Sequence, residues 1–524
     1  MDGAGVRPNL AHLLHGGATS GPVISVGASE AAAVRQRAAA ALREPLASSA
    51  VSARAQAMAT TQRRTVTGLD TTVFHSVGGS QQLAFDLSDT TIEAYAPNGS
   101  GGFERIAATS RRADGTYAIT GVPEGPHWLR YSNIYVWTDQ AFIDWSSDQF
   151  GRADVVSPTV STRLNFNAGN LSPWQATDSL AWVVPLHGTS GAVALDAAFV
   201  ANAPRTADAA LADFGIELGP EGLFGGLLDA SKGDQAYLNQ LVTQPATGVR
   251  TLARSIVLPA LSIADGSTTQ VTSGFLDIAQ STSVQLRWDR ATFVAQAAAV
   301  HPGAAATSAV MGFSAFALPP AFGTPFDAYS LIEYDTLGAQ AVDFGSLRYG
   351  NPFPADWNQV ADGFVAFTAR YLAPGASVPE PLERAVSTSV LVPAATRNGG
   401  SLQLAPGITP PRDPRINGNS LFDNQLAVGP MPTLSWTAPA LGVPDYYLVR
   451  VLELRANGAR SEFRIVARLN TADTSLMMPP DLLQAGHFYV ITMAAVRSSS
   501  PITQPRRIGL PSSFATLMGS IVSP

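Results

Sequence analysis

A histidine and a serine lie close together in His187-Gly188-Thr189-Ser190-Gly191, and these are residue types that nucleophilic hydrolysis uses. A serine hydrolase usually displays its nucleophile in G-x-S-x-G on a strand-to-helix elbow, where the hydroxyl meets an oxyanion hole. That pentapeptide does not occur in the chain. Triad members come from distant segments and meet only in the fold, so this segment is expected to be a turn, and no catalytic residue is assigned.

Metal chemistry finds little support. The seven histidines are His12, His15, His75, His127, His187, His301 and His487, and none belongs to an H-E-x-x-H pair that would set two imidazoles on one helical face. Cysteine is absent, which excludes disulfides, thiolate catalysis and Cys-ligated zinc or iron–sulfur sites. No metal ligand, cofactor-binding residue or cofactor is therefore assigned. Asp139, Asp144, Asp148 and Asp154 crowd an acidic, aromatic loop, and calcium takes about six to eight oxygen ligands. The alternating register of an EF-hand is missing, so these aspartates are expected to satisfy turns, with calcium as the alternative. As a glycosidase dyad they would be judged by their separation in space.

The eight tryptophans raise the question of carbohydrate, because an exposed indole face stacks on a sugar ring. Trp128, Trp182 and Trp436 alternate with polar residues and are expected in cores. Trp145, Trp174 and Trp357 stand beside Asp144, Pro173 and Asp356 in turn-rich segments and are expected at the surface.

These side chains need elements to position them. At 524 residues the chain exceeds a single core, which stops growing near ~250–300 residues. Charged residues make up only 14%, while Gly (46) and Pro (37) are abundant, a balance that suits many short strands joined by turns. The formal net charge of −7 with no basic run argues against nucleic acid, whose binding needs clustered cations. No window approaches the ~18–20 apolar residues of a membrane helix, so a membrane-spanning chain is not expected.

Residues 1–65 are Ala- and Arg-rich with few large apolar residues and are expected to form a flexible or partly helical leader, its one helix capped by Ser29 and running toward Pro45. From 66 to 160 the apolar residues alternate, as in Thr91 to Ala96 and Thr116 to Thr120, with a tight turn at Asp114-Gly115. The D-G-x-Y-x-I run followed by Gly121-Val122-Pro123-Glu124-Gly125 resembles the carboxypeptidase regulatory-like, or transthyretin-like, sandwich. That resemblance implies a non-catalytic module. Residues 161–395 carry many short strands, interrupted by a short helix near 289–300 that Asp289 would cap and Pro302 would end. They form one large sandwich region of one or two units. Residues 396–429 hold Gly399-Gly400, Pro406, Pro410-Pro411, Pro414 and Gly418, which reads as a linker.

Residues 430–524 contain the L-x-W strand of Trp436, a strand with Tyr447, Val449 and Val451 on one face, and Leu483, Gly486 and Tyr489 at a corner. This stretch resembles a fibronectin type III domain. The resemblance implies that the Tyr489 hydroxyl bonds back to the backbone; Ala485 departs from the family's proline. Tyr349 to Trp357, Leu171 to Leu180 and Lys232 to Leu241 are similar to segments of uncharacterised exported proteins of myxobacteria.

The expected fold is all-β, several β-sandwich domains in series. The expected function is a non-catalytic, exported or cell-surface bacterial protein that binds or spaces, with carbohydrate or other surface proteins as partners and no export signal visible. The alternatives are a polysaccharide-active hydrolase with accessory sandwiches, or a subunit of a surface assembly or filament. Self-assembly of that kind should show exposed strand edges or a leader strand donated from residues 1–65.

Overall fold

The computed structural model describes residues 23–41, 62–76, 79–172, 175, 177–187, 189–193, 211–218, 226–258, 261–304, 310–318, 329–337, 342–507 and 509–524. The chain is all-β, with several layered sheets and a few short helices. Among the described residues no helix is long and apolar enough to cross a membrane, which does not bear on spanning by strands.

The first sandwich follows from the two-residue rhythm of its strands. In Thr116–Pro123 the side chains of Tyr117 and Ile119 point inward, 2% and 0% exposed, while their neighbours face out. That strand pairs with Arg63–Leu69, and Phe142–Asp144 runs parallel on the other edge. Ile92–Pro97, His127–Tyr131 and Ile134–Thr138 form the facing layer. Val66, Ile119, Val122, Ile143 and Trp145 meet Ile92, Leu129 and Val136 between them. Gly68 sits opposite Ile143 and Tyr117 of its own sheet and leaves no room for a side chain: a Cβ there would lie 2.0 Å from the Ile143 carbonyl oxygen. Gly115 turns the Asp114 hairpin at φ +80°, as the dipeptide predicts. Gly121 is the extra residue of a bulge within the strand, at φ +80°, and the chain bends at Glu124-Gly125, where Gly125 has φ +107°.

The described residues of 161–395 contribute chiefly to two large cores. Leu164, Phe166, Leu180, Trp182, Leu238 and Ile256 make the first. The second is built on the long hairpin of Asn358–Leu372 with Glu380–Leu391, and it is continuous with the interior of the closing sheets, so Trp288 and Val365 belong to the same cluster as Val449 and Leu517. Two short helices, Arg290–Val294 and Ala297–Val300, occupy the predicted place. Asp289 makes no side-chain cap; instead its carbonyl accepts from the Thr292 hydroxyl at 2.8 Å. His301, before Pro302, is extended at φ −162°, as proline demands of its predecessor.

The Gly- and Pro-rich stretch 396–429 differs from a linker. Asn398–Leu404 runs parallel to Thr282–Trp288, and Arg412–Ile416 pairs with Thr433–Thr437. Leu404, Ile408, Ile416 and Leu421 are buried. The register slips between Arg412 and Arg415, which is how a strand accommodates Pro414 without a ladder donor.

Strand edges join segments that are far apart in sequence. Ile134–Thr138 of the first sandwich runs parallel to Arg460–Thr471, with Tyr135 opposite Leu469. Glu380–Leu391 pairs with Ser512–Val522. In the closing sheets Trp436 packs edge-on against Tyr447 at 5.1 Å, and the Tyr489 hydroxyl accepts from the Gln484 N–H at 2.9 Å, the backbone bond that the corner sequence implies. The N-terminal segment contributes a strand, Val23–Ser25, and a helix, Ala28–Ala41. The helix starts one residue ahead of the expected cap, so Ser29 lies inside it, and the Glu30 carboxylate reaches back to accept from the Gly27 N–H at 3.1 Å.

Candidate functional site

Among the described residues a dense group of charged side chains surrounds Asp234. Asp229 caps a turn of 3-10 helix, Ala230–Lys232, by accepting from the Ser231 N–H, and Gly233 closes it at φ +79°. The turn delivers Asp234 inward just before the Ala236–Thr243 strand. Its carboxylate is 0% exposed. Arg152 grips it with both arms, Nε to Oδ1 at 2.9 Å and Nη2 to Oδ2 at 2.8 Å. His187 Nε2 donates to Oδ2 at 2.7 Å, and the Asp229 N–H does so at 2.8 Å. Burial alone would raise the Asp234 pKa; the bonds from His187, Arg152 and Asp229 outweigh it and hold the carboxyl well below its usual range. Arg152 also donates to Asp154 at 2.6 Å, and Lys232, the only lysine, pairs with Asp154 at 2.7 Å. These two cations lower Asp154 to about 2, the Lys232 bond contributing most.

An aspartate–histidine pair is the beginning of a hydrolytic relay. Here the pair is sealed: the His187 side chain has no exposure, and its Nδ1 is buried without a hydrogen bond among the described residues. His187 ends a short 3-10 turn, Pro185–His187; Gly188 lies outside the described residues. The arrangement can tie loops together but cannot reach a substrate.

A second polar cluster joins the first sandwich to the loop before the last strand. Asp70, 1% exposed, accepts from the Tyr131 hydroxyl and from Arg506 Nη1, the latter at 2.7 Å. Burial raises its pKa despite both partners. Arg507 lies between Asp144, at 3.7 Å, and Asp148, at 3.4 Å. His75 Nε2 contacts Asp148 at 2.8 Å, and Gln504 donates to Asp144 at 3.3 Å. Thus Asp144, Asp148 and Asp154 are engaged by arginine, lysine and histidine, and Asp139 is exposed. Among the described residues no group of three or more acidic or imidazole side chains is placed to hold a metal ion.

The tryptophans correct the surface expectation. Trp145 is 0% exposed, stacked on Tyr131 at 5.0 Å and donating to the Tyr117 hydroxyl at 3.1 Å. Trp357 is 1% exposed and lies parallel to Phe353 at 5.4 Å. Each follows a turn aspartate, but the strand or loop that carries it directs the indole inward. Trp128, Trp182 and Trp436 are buried as expected. Trp174, His12 and His15 lie outside the described residues.

Sequence reasoning missed Arg152, Asp234, Asp70, Arg506 and Arg507. The turn chemistry of Asp229-Ala230-Ser231-Lys232-Gly233 was a local signal for the placement of Asp234, but nothing local paired it with Arg152.

No family model matches the chain, and no curated protein matches it. Among solved structures it is similar to the FN1–FN3 domains of chicken CNTN1, at 9% identity over 88% of this chain and 95% of that one. The TM-score is 0.13, a superposition too loose to bear on this chain.

Proposed function

We propose that the chain is a non-catalytic structural protein of the bacterial cell surface, in which β-sandwich modules are locked into a stiff unit. The observation that carries this reading is the fate of its reactive groups. The buried aspartate–histidine pair is closed off by Arg152, and the loop acids are engaged by cations of the same chain. Strand pairing between Ile134–Thr138 and Arg460–Thr471, reinforced by Trp128 Nε1 donating to the Met477 carbonyl at 3.1 Å, supports a spacer that resists bending. The Trp436–Tyr447 contact and the Tyr489 bond support the fibronectin type III reading of the last module. The alternation around Tyr117 supports a regulatory-like sandwich at the start. Export is proposed from the cysteine-free, turn-rich composition.

The test has two arms on the purified full chain and its native cells. Surface proteolysis of intact cells should remove the protein, and a panel of polysaccharides should remain uncut. Turnover of any of them that is abolished by Asp234→Asn, with the fold retained, would overturn the structural reading.

A further inference from the structure

The hairpin of Thr71–Ser76 with Gly79–Ala84 leaves one sheet edge open. Among the described residues Gly79–Ala84 pairs with no other strand, and every residue in it is exposed. The opposite edge of the same sheet, Ser147–Phe150, is closed by Arg506 on the Ser147 hydroxyl at 3.3 Å and by Arg507 on Asp148 at 3.4 Å. Proteins usually blunt a free edge with charge, proline or a bulge. The stretch from Gly79 to Phe85 reads Gly-Ser-Gln-Gln-Leu-Ala-Phe and has none of these. The Phe85 N–H donates to the Asp70 carbonyl at 3.0 Å, which extends the ladder by one position. Bonded and unbonded pairs alternate in an antiparallel ladder. Gly79, Gln81 and Leu83 therefore turn their backbone groups toward Thr71–Ser76, and Ser80, Gln82 and Ala84 turn theirs outward. The side chains alternate too. On one face Gln82 donates to the Thr71 hydroxyl at 2.7 Å and Ser80 pairs with His75 at 2.9 Å. On the other stand Leu83 and Phe85, 42% and 43% exposed, with half-buried Phe74 beside them.

We propose that this edge is the interface of a two-fold dimer, in which the Gly79–Ala84 strands of two copies pair antiparallel about Gln82. Setting Gln82 opposite its twin sets Ser80 opposite Ala84, so every outward backbone group of the strand is used, in about six hydrogen bonds. The side chains fit a second copy of this same sequence. Each Gln82 amide offers a donor and an acceptor to the other. On the opposite face Gln81 lies across from Leu83 of the second copy, and Gly79 across from its Phe85. A Cβ built on Gly79 meets nothing within 4 Å, which leaves room for that ring to cover the glycine, as aromatic side chains do across strands. The axis stands perpendicular to the sheet, so Phe74, Leu83 and Phe85 of both copies come to one face and join into a single apolar stripe. The strand carries no charge, so the pairing brings no like charges together. One two-fold uses both open edges, and the assembly closes at two. A single strand pair is small beside the roughly 1,200–2,000 Å² of a standard interface, which makes the dimer weak and dependent on concentration.

The dimer extends the structural reading on which it rests; polysaccharide turnover would count against that reading alone and leave the association untouched. Sedimentation velocity of the full-length chain, from micromolar to the highest soluble concentration, should show a monomer–dimer shift. Gln82→Lys and Gln82→Glu each set like charges face to face at the axis, and each should sediment as a monomer. An equal mixture of the two should restore the dimer, because opposite charges then meet. Ala84→Pro is the second kind of variant. It removes an outward N–H, leaves the ladder to Thr71–Ser76 whole, and should weaken the dimer by about tenfold or more, since each copy loses a bond. Unchanged circular dichroism shows that each variant keeps the fold. A wild type that stays monomeric throughout would overturn the proposal and leave the edge to a strand of a different protein. Dimerisation undiminished in all three variants, or a charge-opposed mixture that stays monomeric, would overturn it as well.

Discussion

Replacing Asp234 by asparagine tests whether the buried cluster fastens its loops. The carboxylate takes four hydrogen bonds of 2.7 to 2.9 Å, three of them on Oδ2. Asparagine can present one carbonyl oxygen to those three donors, but its amide then faces the Arg152 Nε–H. The guanidinium is left without a buried counter-charge, which costs about 3–5 kcal/mol. A chain of several modules does not unfold in two states, so the loss belongs in a local measurement. Hydrogen exchange of the Ala236–Thr243 amides should accelerate by roughly two to three and a half powers of ten at neutral pH, since 1.4 kcal/mol is a factor of about ten. The sign with pH is fixed: the folded Asp234 titrates below its unfolded value. Its contribution is therefore present above about pH 4 and drains away as pH falls toward the folded value. The wild type should lose protection across that window and Asp234→Asn should not. A change of less than about threefold at neutral pH, or identical acid profiles, would refute the reasoning.

Gly68→Ala places a methyl group 2.0 Å from the Ile143 carbonyl oxygen and 2.5 Å from the Tyr117 hydroxyl; it should cost about 3 kcal/mol or more, seen as a lowered melting transition of the first sandwich. Tyr489→Phe leaves the Gln484 N–H without its acceptor and should cost about 1 kcal/mol, read as faster exchange in Phe488–Arg497. Arg506→Ala removes the cation that offsets the burial of Asp70. The Asp70 pKa then rises further, so the variant should lose more stability at pH 7 than at pH 5, and thermal melts at both values show whether it does.

What the sequence revealed was local. Tyr117 and Ile119 alternate with the small residues Thr116, Ala118 and Thr120, and each faces the core. Tyr489 stands at the spacing from Leu483 and Gly486 that a corner requires, and its hydroxyl makes the backbone bond. What it concealed was contact between distant residues. Arg152 and Asp234 are 82 positions apart, and Arg506 lies 436 positions from Asp70, so neither partner announces the other. Direction was hidden as well: Trp145 and Trp357 follow aspartates in turn-rich stretches, yet the paths of their segments aim both rings inward. In 396–429 the prolines and glycines sit at bulges and turns between short strands. Buried Ile408, Ile416 and Leu421 recur there without the regular alternation that would have marked them.

The locking of distant segments by shared strand edges is tested most directly by hydrogen exchange at the seam between Ile134–Thr138 and Arg460–Thr471 in the intact protein. Here the Arg468 N–H bonds to the Asn133 carbonyl at 2.9 Å and Asn470 Nδ2 bonds to that of Tyr135 at 3.2 Å. The account predicts that the seam amides of both strands are strongly protected and open together. Rapid exchange at the seam, with the first sandwich opening independently of the closing sheets, would contradict it.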